Sequence, residues 1–423
     1  MSLIRRMQWL VFGGVWLVYA STYLLRKPLG VIKVGMAKEL GLSRSRLGLL
    51  DTALLLPYAL AQALGGATAD RMGPRLTAAA SLAVAGTVAT AIGAWSGFAG
   101  PMLLLALCGA AQGPAWPACC KCLAAWFPDR TLNTIFGLMS TSAYAGGAAA
   151  TGLAVWLQAA YGWRLVYLPM GAVVLALSLL AWMSMRLPTD FGIVVPGKEH
   201  PSVQTGSSSR PRSSLLELWR LPLVAEMAVA VLCLKLVRYT VYLWLPTYLI
   251  QALGLNAATV GILSAVFDAG GVVGSALLGL AADRHSSLFH TWLAVVVSAL
   301  AFILFLVTAA WGPLYNAMLL LLAGACICGP DALLGGSLAV AAGERDGRGA
   351  GAAVAGLVNG FGSLGAVLEG PLVGCVTDAY GWEAMLLLVV ALLSVGSFCV
   401  LKALLFQRRQ AVLVAGSLLA NMD

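Results

Sequence analysis

About twelve stretches of mostly apolar residues, separated by short polar breaks, follow one another from Trp9 to Phe406. Each is close to the roughly 20 residues that a helix needs to cross the hydrocarbon core of a bilayer. Only 10% of the chain is charged against 60% hydrophobic, with a mean hydropathy of +0.89, which leaves too little polar surface to coat a soluble globule. The pattern predicts an all-α membrane protein with spans near 8–32, 47–69, 76–96, 101–124, 133–159, 163–186, 220–251, 258–281, 288–310, 313–341, 349–376 and 382–406. The first stretch carries Arg26 and Lys27 and no small-residue cleavage site, so it reads as a retained helix and not as a signal peptide.

The 26 Lys and Arg residues suggest an orientation: 15 fall in loops on the side of the N-terminus, and five, Lys33, Lys38, Arg44, Arg46 and Arg164, on the other. An excess of this kind marks the cytoplasmic face, so both termini are expected there. The same loops, with the cations inside the spans, account for the net charge of +9 and remove the case for a nucleic-acid partner. The nine cysteines lie almost wholly in apolar stretches, as at Cys119, Cys120 and Cys122. Their spacing suits neither a disulfide nor a zinc site, and no metal or cofactor is expected.

The chain is duplicated. Asp70-Arg71 recurs as Asp283-Arg284 at an offset of 213, Arg26 as Arg238 at 212, Gly113-Pro114 as Gly329-Pro330 at 216, and Tyr161-Gly162-Trp163 as Tyr380-Gly381-Trp382 at 219. Several matches in order, with a slowly drifting offset, are what a duplication with small insertions leaves. Between the copies, 188–214 is rich in Pro, Gly, Ser and charge and lacks apolar periodicity. It reads as a cytoplasmic linker between six-helix halves at 1–187 and 215–423. In the architecture that such parallel repeats build, substrate binds between the halves near the bilayer midplane.

Two of the duplicated residues are arginines inside apolar segments. An Arg at a bilayer centre costs about 2.5 to 3.5 kcal/mol on insertion scales, so Arg26 and Arg238 are candidates for function. Tyr19, Tyr23, Arg26 and Lys27 are spaced by 4, 7 and 8 along one helical stripe, and Lys235, Arg238 and Tyr242 by 3 and 7 along another. A guanidinium suits phosphate because its planar fork donates two parallel hydrogen bonds, and Tyr hydroxyls add donors. The rival reading is snorkelling to an interface or a structural ion pair. It asks a long reach of Arg238, which lies 18 residues beyond Arg220 and 13 before Gln251.

The stretch from Gly66 through Asp70 and Arg71 to Arg75 resembles the signature loop between helices 2 and 3 of the major facilitator superfamily, and the second copy keeps Asp283 and Arg284. That resemblance implies a conformational, gating role for Gly66, Asp70, Arg71, Asp283 and Arg284. Within the superfamily, Tyr23-Leu24-Leu25-Arg26-Lys27, the run from Gln112 to Cys119, Arg238-Tyr239, the run from Trp244 to Leu249, and Cys328-Gly329-Pro330 resemble the organophosphate:phosphate antiporter family, in order, over about 15–390. The family includes glycerol-3-phosphate and hexose-phosphate transporters and sugar-phosphate exchangers of eukaryotic endomembranes. The resemblance implies the major facilitator fold, with twelve transmembrane helices in two six-helix halves, and phosphate bound by Arg26 and Arg238 from opposite halves. Tyr19, Tyr23, Lys27, Lys235 and Tyr242 frame that site. Asp268, in SAVFDAGG, coincides with an acidic position of bacterial members and is a charge-switch candidate, with Lys235 or Arg238 as partner and a permanent ion pair as the rival. Asp331 and Glu369 are further intramembrane carboxylates with no role assigned.

These expectations describe a secondary transporter that exchanges a sugar phosphate or glycerol 3-phosphate for inorganic phosphate. It is expected to work as a monomer, in the plasma membrane or in an endomembrane such as the endoplasmic reticulum. A non-transporting membrane sensor of sugar phosphate is the alternative. An enzyme is not expected, because the three histidines, His200, His285 and His290, lie in or beside loops and form no catalytic cluster. Two departures leave the ester open. The His of glycerol-phosphate members falls near Ala143 or Tyr144, and a helix-2 Lys of several members is replaced by Gln62.

Overall fold

A computed structural model describes residues 3–193, 195, 215–284, 286–344 and 351–420, and every element within them is helical. Most of the expected linker, from 196 to 214, lies outside the described residues. Twelve rods run through the described chain. The first, α1, is Leu3–Ser21, Tyr23–Arg26 and Pro28–Leu40 in sequence. Arg44–Thr90 holds α2 and α3, divided at Gly73, and α4 joins Ala99–Gln112 to Ala115–Trp126. Asp129–Tyr161 is α5, Tyr167–Ser184 α6, Val224–Gln251 α7, Ala257–Arg284 α8 and Ser287–Thr308 α9. Pro313–Gly335 and Ser337–Glu344 form α10, and Gly351–Ala420 holds α11 and α12, divided at Gly381.

The all-α membrane class follows directly: nine runs among the described residues are long and apolar enough to cross a membrane, and the last, Val354–Gln410, takes in both α11 and α12. A helix suits this solvent because it satisfies its own backbone hydrogen bonds where no water can. Between α2 and α3 the chain turns at Gly73, whose φ of 78° and ψ of 156° are open to glycine at little steric cost.

The contacts group the chain into two compact units. The first is Met1–Arg210 with Tyr242–Ala269 and Gly370–Ala379, and the second is Pro211–Val241 with Gly270–Glu369 and Tyr380–Asp423. In the first unit, the end of α1 that leads into Gly41–Ser43 packs backbone to backbone on α7 and α2 does so on α11. A Cβ at Gly30 would lie 2.8 Å from the Leu243 carbonyl oxygen, and one at Gly48 would overlap the Gly370 carbonyl. Small residues at such crossings let helix backbones approach closely, which is the main source of attraction between helices in lipid. Thr247 Oγ1 adds a hydrogen bond to the Gly30 carbonyl at 3.1 Å. In the second unit, α8 lies equally close on α10, with Gly270 and Gly274 against the Leu321 and Ala325 carbonyls.

Candidate substrate site

The first unit is organised around a break in α1. Ser21 and Thr22 hydroxyls donate back to the Val18 and Tyr19 carbonyls at 2.7 Å, competing with the helical ladder, and Pro28 has no N–H to offer it. The backbone there tightens to three-residue steps, with Thr22 N–H to Tyr19 O at 3.1 Å, Leu25 N–H to Thr22 O at 3.2 Å and Gly30 N–H to Lys27 O at 3.2 Å. Neighbouring side chains that a regular helix would splay apart are therefore both buried: Arg26 and Lys27 are each 4% exposed.

Arg26 donates from Nε to Gln112 Oε1 of α4 at 2.8 Å, and Gln112 Nε2 is anchored on the Cys108 carbonyl at 3.2 Å. Its guanidinium carbon lies 4.1 Å from the ring centroid of Tyr58, 5.1 Å from Tyr23 and 6.0 Å from Tyr19. Tyr19 leans in turn on Trp116, ring centroids 4.7 Å apart. Rings that face a desolvated guanidinium contribute up to about 2 kcal/mol, and together with Gln112 they fix the plane of the fork. Tyr58 escapes sequence reasoning, since it stands in the apolar run TALLLPYALAQ with no charge beside it.

Lys27 reaches the other way, to Asp268 of α8, with Nζ 2.8 Å from Oδ2. The same ammonium sits 4.1 Å from the ring centroid of Tyr242, and Tyr242 meets Tyr23 edge-on at 6.2 Å. Gly147 of α5 makes room for the pair, because a Cβ there would stand 3.2 Å from Lys27 Cε and 3.4 Å from Asp268 Oδ2. Asp268 was expected to meet Lys235 or Arg238, and the structure gives it Lys27. A buried pair of this quality is costly to leave half-made, about 3–5 kcal/mol when one partner goes.

A second buried pair has no counterpart in the sequence analysis. Lys33, counted there among the loop cations, lies inside α1 with no exposure, 2.5 Å from Asp51 of α2, which is equally buried. The Trp244 ring of α7 covers the ammonium at 3.8 Å. The available signal was Asp51 itself, a carboxylate in the apolar run LGLLDTALLL that has to find a cation. At the same end of α2, Arg44 N–H and Ser45 N–H donate to the Asp378 carboxylate of α11 at 3.0 and 2.7 Å, and Arg44 Nη1 donates to the Thr377 carbonyl at 2.6 Å.

In the second unit, Arg238 of α7 is held by Asp331 of α10, Nη1 to Oδ2 at 3.2 Å. One helical turn earlier, Lys235 lies 3.3 Å from Asn359 Oδ1 of α11, whose own Nδ2 donates to the Gly335 carbonyl of α10 at 2.7 Å. The residues proposed for gating are only partly visible. Gly66, Asp70, Asp283 and Arg284 lie on helices, but their surroundings fall outside what the structure describes, and Arg71 is exposed. Beside them Lys121 of α4 donates to the Ala69 carbonyl at 3.0 Å, and Arg75 donates from Nε to the Trp182 carbonyl of α6 at 2.6 Å.

Membrane-crossing rods with a broken helix and buried charge pairs are the build of a solute transporter. The Major Facilitator Superfamily model matches residues 15–355. The chain is 30% identical to a putative glycerol-3-phosphate transporter 5 of Arabidopsis thaliana, over 90% of this chain and 88% of that one. It is 26% identical to sugar phosphate exchanger 3 of Bos taurus, over 79% and 75%. In fold it is similar to a bacterial homologue of the human lysosomal transporter Spinster, with a TM-score of 0.72 at 15% identity over 94% and 96% of the two chains. The chain belongs to the major facilitator superfamily and, within it, to the organophosphate:phosphate antiporter family, and is a multi-pass membrane transporter and not an enzyme.

Proposed function

We propose that the chain exchanges a phosphorylated small metabolite, a sugar phosphate or glycerol 3-phosphate, for inorganic phosphate by alternating access, with Arg26 and Arg238 as the two phosphate ligands. The observation that carries this reading is Arg26. A guanidinium 4% exposed, set at a break in α1, steadied by Gln112 and surrounded by tyrosine rings, is a preorganised anion ligand. Names of relatives support the cargo, since they refer to glycerol 3-phosphate and sugar phosphate. Duplication supports the pairing, because Arg238 is the second copy of Arg26.

In this reading the contacts of α1, α2 and their partners at the Gly41–Ser43 end hold one entrance shut, and they part when it opens. Lys27 and Asp268 serve as the switch, their pair loosening as phosphate draws on the local positive charge, and Tyr19, Tyr23, Tyr242 and Lys235 complete the site. The signature-loop residues Gly66, Asp70, Arg71, Asp283 and Arg284 gate the opposite end. Without an anion, closing the halves sets two like guanidinium charges facing each other in low dielectric, which disfavours closure. Bound phosphate offsets that cost, which makes exchange favoured over leak. We further assign a monomer with both termini cytoplasmic, on the Lys and Arg asymmetry of the loops, in the plasma membrane or an endomembrane.

The experiment is counterflow in proteoliposomes. Vesicles loaded with phosphate should take up labelled glycerol 3-phosphate or hexose 6-phosphate, and a panel of glycerol, triose, hexose and enolpyruvate phosphates should rank by competition. Equally rapid uptake into phosphate-free vesicles would sink strict antiport, and no uptake of any phosphate ester would sink the assignment.

A further inference from the structure

We propose that Asp378 is a charge latch that biases the protein toward the state closed at its Gly41–Ser43 end. The inference rests on the reading that this end is an entrance that opens, and it names what holds that entrance between turnovers. The latch joins the start of α2 to the end of α11. A helix start leaves N–H groups without partners and a helix end leaves carbonyls. Ser43 answers one of the former, its hydroxyl accepting from Arg46 N–H at 3.3 Å. The N–H groups of Arg44 and Ser45 go instead to the two oxygens of Asp378, at 3.0 and 2.7 Å, and the Ser45 hydroxyl donates to the second of them. In return, Arg44 Nη1 donates to the Thr377 carbonyl in the last turn of α11 at 2.6 Å. Each helix end supplies what the other lacks, with a carboxylate on the positive pole of α2 and a guanidinium on the negative pole of α11.

The duplication contains a comparison that separates this latch from packing. At the offset of 213, Arg44, Ser45 and Gly48 of α2 correspond to Ala257, Ala258 and Gly261 of α8, and at 219, Asp378 corresponds to Ala159 of α5. The second pair of helices also meets at its glycine, since a Cβ at Gly261 would stand 3.4 Å from Val155 of α5. There α8 is capped by its own Asn256, which accepts from Thr259 N–H at 2.9 Å. A crossing of this kind therefore forms without charge.

The α2–α11 crossing has a complete seat of its own, with Gly48 and Gly370 back to back and a Cβ at Gly374 only 2.7 Å from the Arg44 carbonyl oxygen. The charges are an addition to it. Asp378 is exposed and Arg44 and Ser45 are half-buried, so water replaces the lost contacts when the helices part. A charge at an exposed helix end shifts an equilibrium by only about twofold to fivefold, which suits a contact released in every cycle. The Lys33–Asp51 pair differs on both counts: it is fully buried, and both members belong to the first half of the duplication, so it persists while the halves move.

The test is the reactivity of Thr247→Cys in a protein whose nine native cysteines are replaced. Thr247 of α7 has no exposure and donates to the Gly30 carbonyl of α1, so a thiol there reacts while α1 and α7 are apart. Phosphate-free proteoliposomes are treated, on the side that the Gly41–Ser43 end faces, with an uncharged, membrane-impermeant methanethiosulfonate. Modification rates are compared with Asp378 intact and in Asp378→Asn and Asp378→Lys. The rate is expected to rise by about twofold to fivefold in Asp378→Asn, which loses the charge, and by about threefold to thirtyfold in Asp378→Lys, which reverses it. Raising salt from about 20 to about 500 mM should bring the rates of the Asp378 and Asp378→Asn proteins together, because screening weakens an exposed charge. Three rates equal within about 1.5-fold overturn the proposal, since that is less than the smallest effect of such a charge. A difference between Asp378 and Asn that salt leaves unchanged also overturns it, because that marks a packing contact. Should Asp378→Lys not fold, Asp378→Asn and the salt response decide by themselves. No modification in any of the three, with full modification after unfolding, would show instead that this end does not open and remove the gating reading beneath.

Discussion

Removing either member of the Lys33–Asp51 pair should unfold the packed end of the first unit, and removing both should largely restore it. The two groups are 2.5 Å apart with no solvent exposure. At an effective dielectric of about 20 their attraction at this distance is about 7 kcal/mol, offset by the desolvation of both ions. Taking one partner away leaves the other buried and uncompensated, at about 3–5 kcal/mol. Lys33→Met strands Asp51 in an apolar crossing, while Asp51→Leu strands an ammonium beneath the Trp244 ring, 3.8 Å away. The double variant Lys33→Met/Asp51→Leu replaces two charges by apolar groups of comparable bulk, and such replacements are often neutral or stabilising. Denaturant unfolding in detergent should therefore give two destabilised singles, a double near wild type, and a coupling energy of at least about 3 kcal/mol. Two singles within about 1 kcal/mol of wild type, or a double equal to their sum, would refute the reasoning.

Three further outcomes follow from the same contacts. Ser45 Oγ lies 3.8 Å from Cys375 Sγ, so Ser45→Cys, with the other cysteines replaced, should oxidise to a disulfide that holds α2 on α11 and stops transport until a thiol reductant is added. A crosslinked protein that still transports would show that this end does not open. Arg26→Lys keeps the charge but loses the Nε bond to Gln112 and the planar fork, and phosphate affinity in equilibrium binding should drop by about tenfold to a hundredfold, as for a charged hydrogen bond. Tyr58→Leu removes the ring 4.1 Å from the guanidinium, and exchange in vesicles should show a KM raised by about twofold to thirtyfold.

Much of this arrangement could be read from local sequence. Tyr19, Tyr23 and Arg26 were legible as a set because helical spacing carries the information, whereas Lys27, buried as they are, reaches the other way to Asp268 through the break in α1. Tyr242 was legible on its own stripe, though its contact with Lys27 and Tyr23 depends on how α7 meets α1. What stayed hidden is partner choice. Lys33 looked like a loop residue because charge ends a hydropathy window, yet α1 continues to Leu40 with that charge neutralised by Asp51, 18 positions away. Asp268 and Asp331 were visible as intramembrane carboxylates, but which cation each would meet is set by helix crossings such as α8 on α10. Those depend on small residues like Gly270 and Gly274, whose meaning appears only once the facing backbone is known.

We propose that one phosphate-binding site draws a guanidinium from each half of a duplicated chain. Counterflow of labelled phosphate into phosphate-loaded vesicles, compared for wild type, Arg26→Ala and Arg238→Ala, tests it most directly, provided each variant is shown to be monodisperse and folded. Exchange by wild type and none by either variant is the expected result. Full exchange by either one would contradict it.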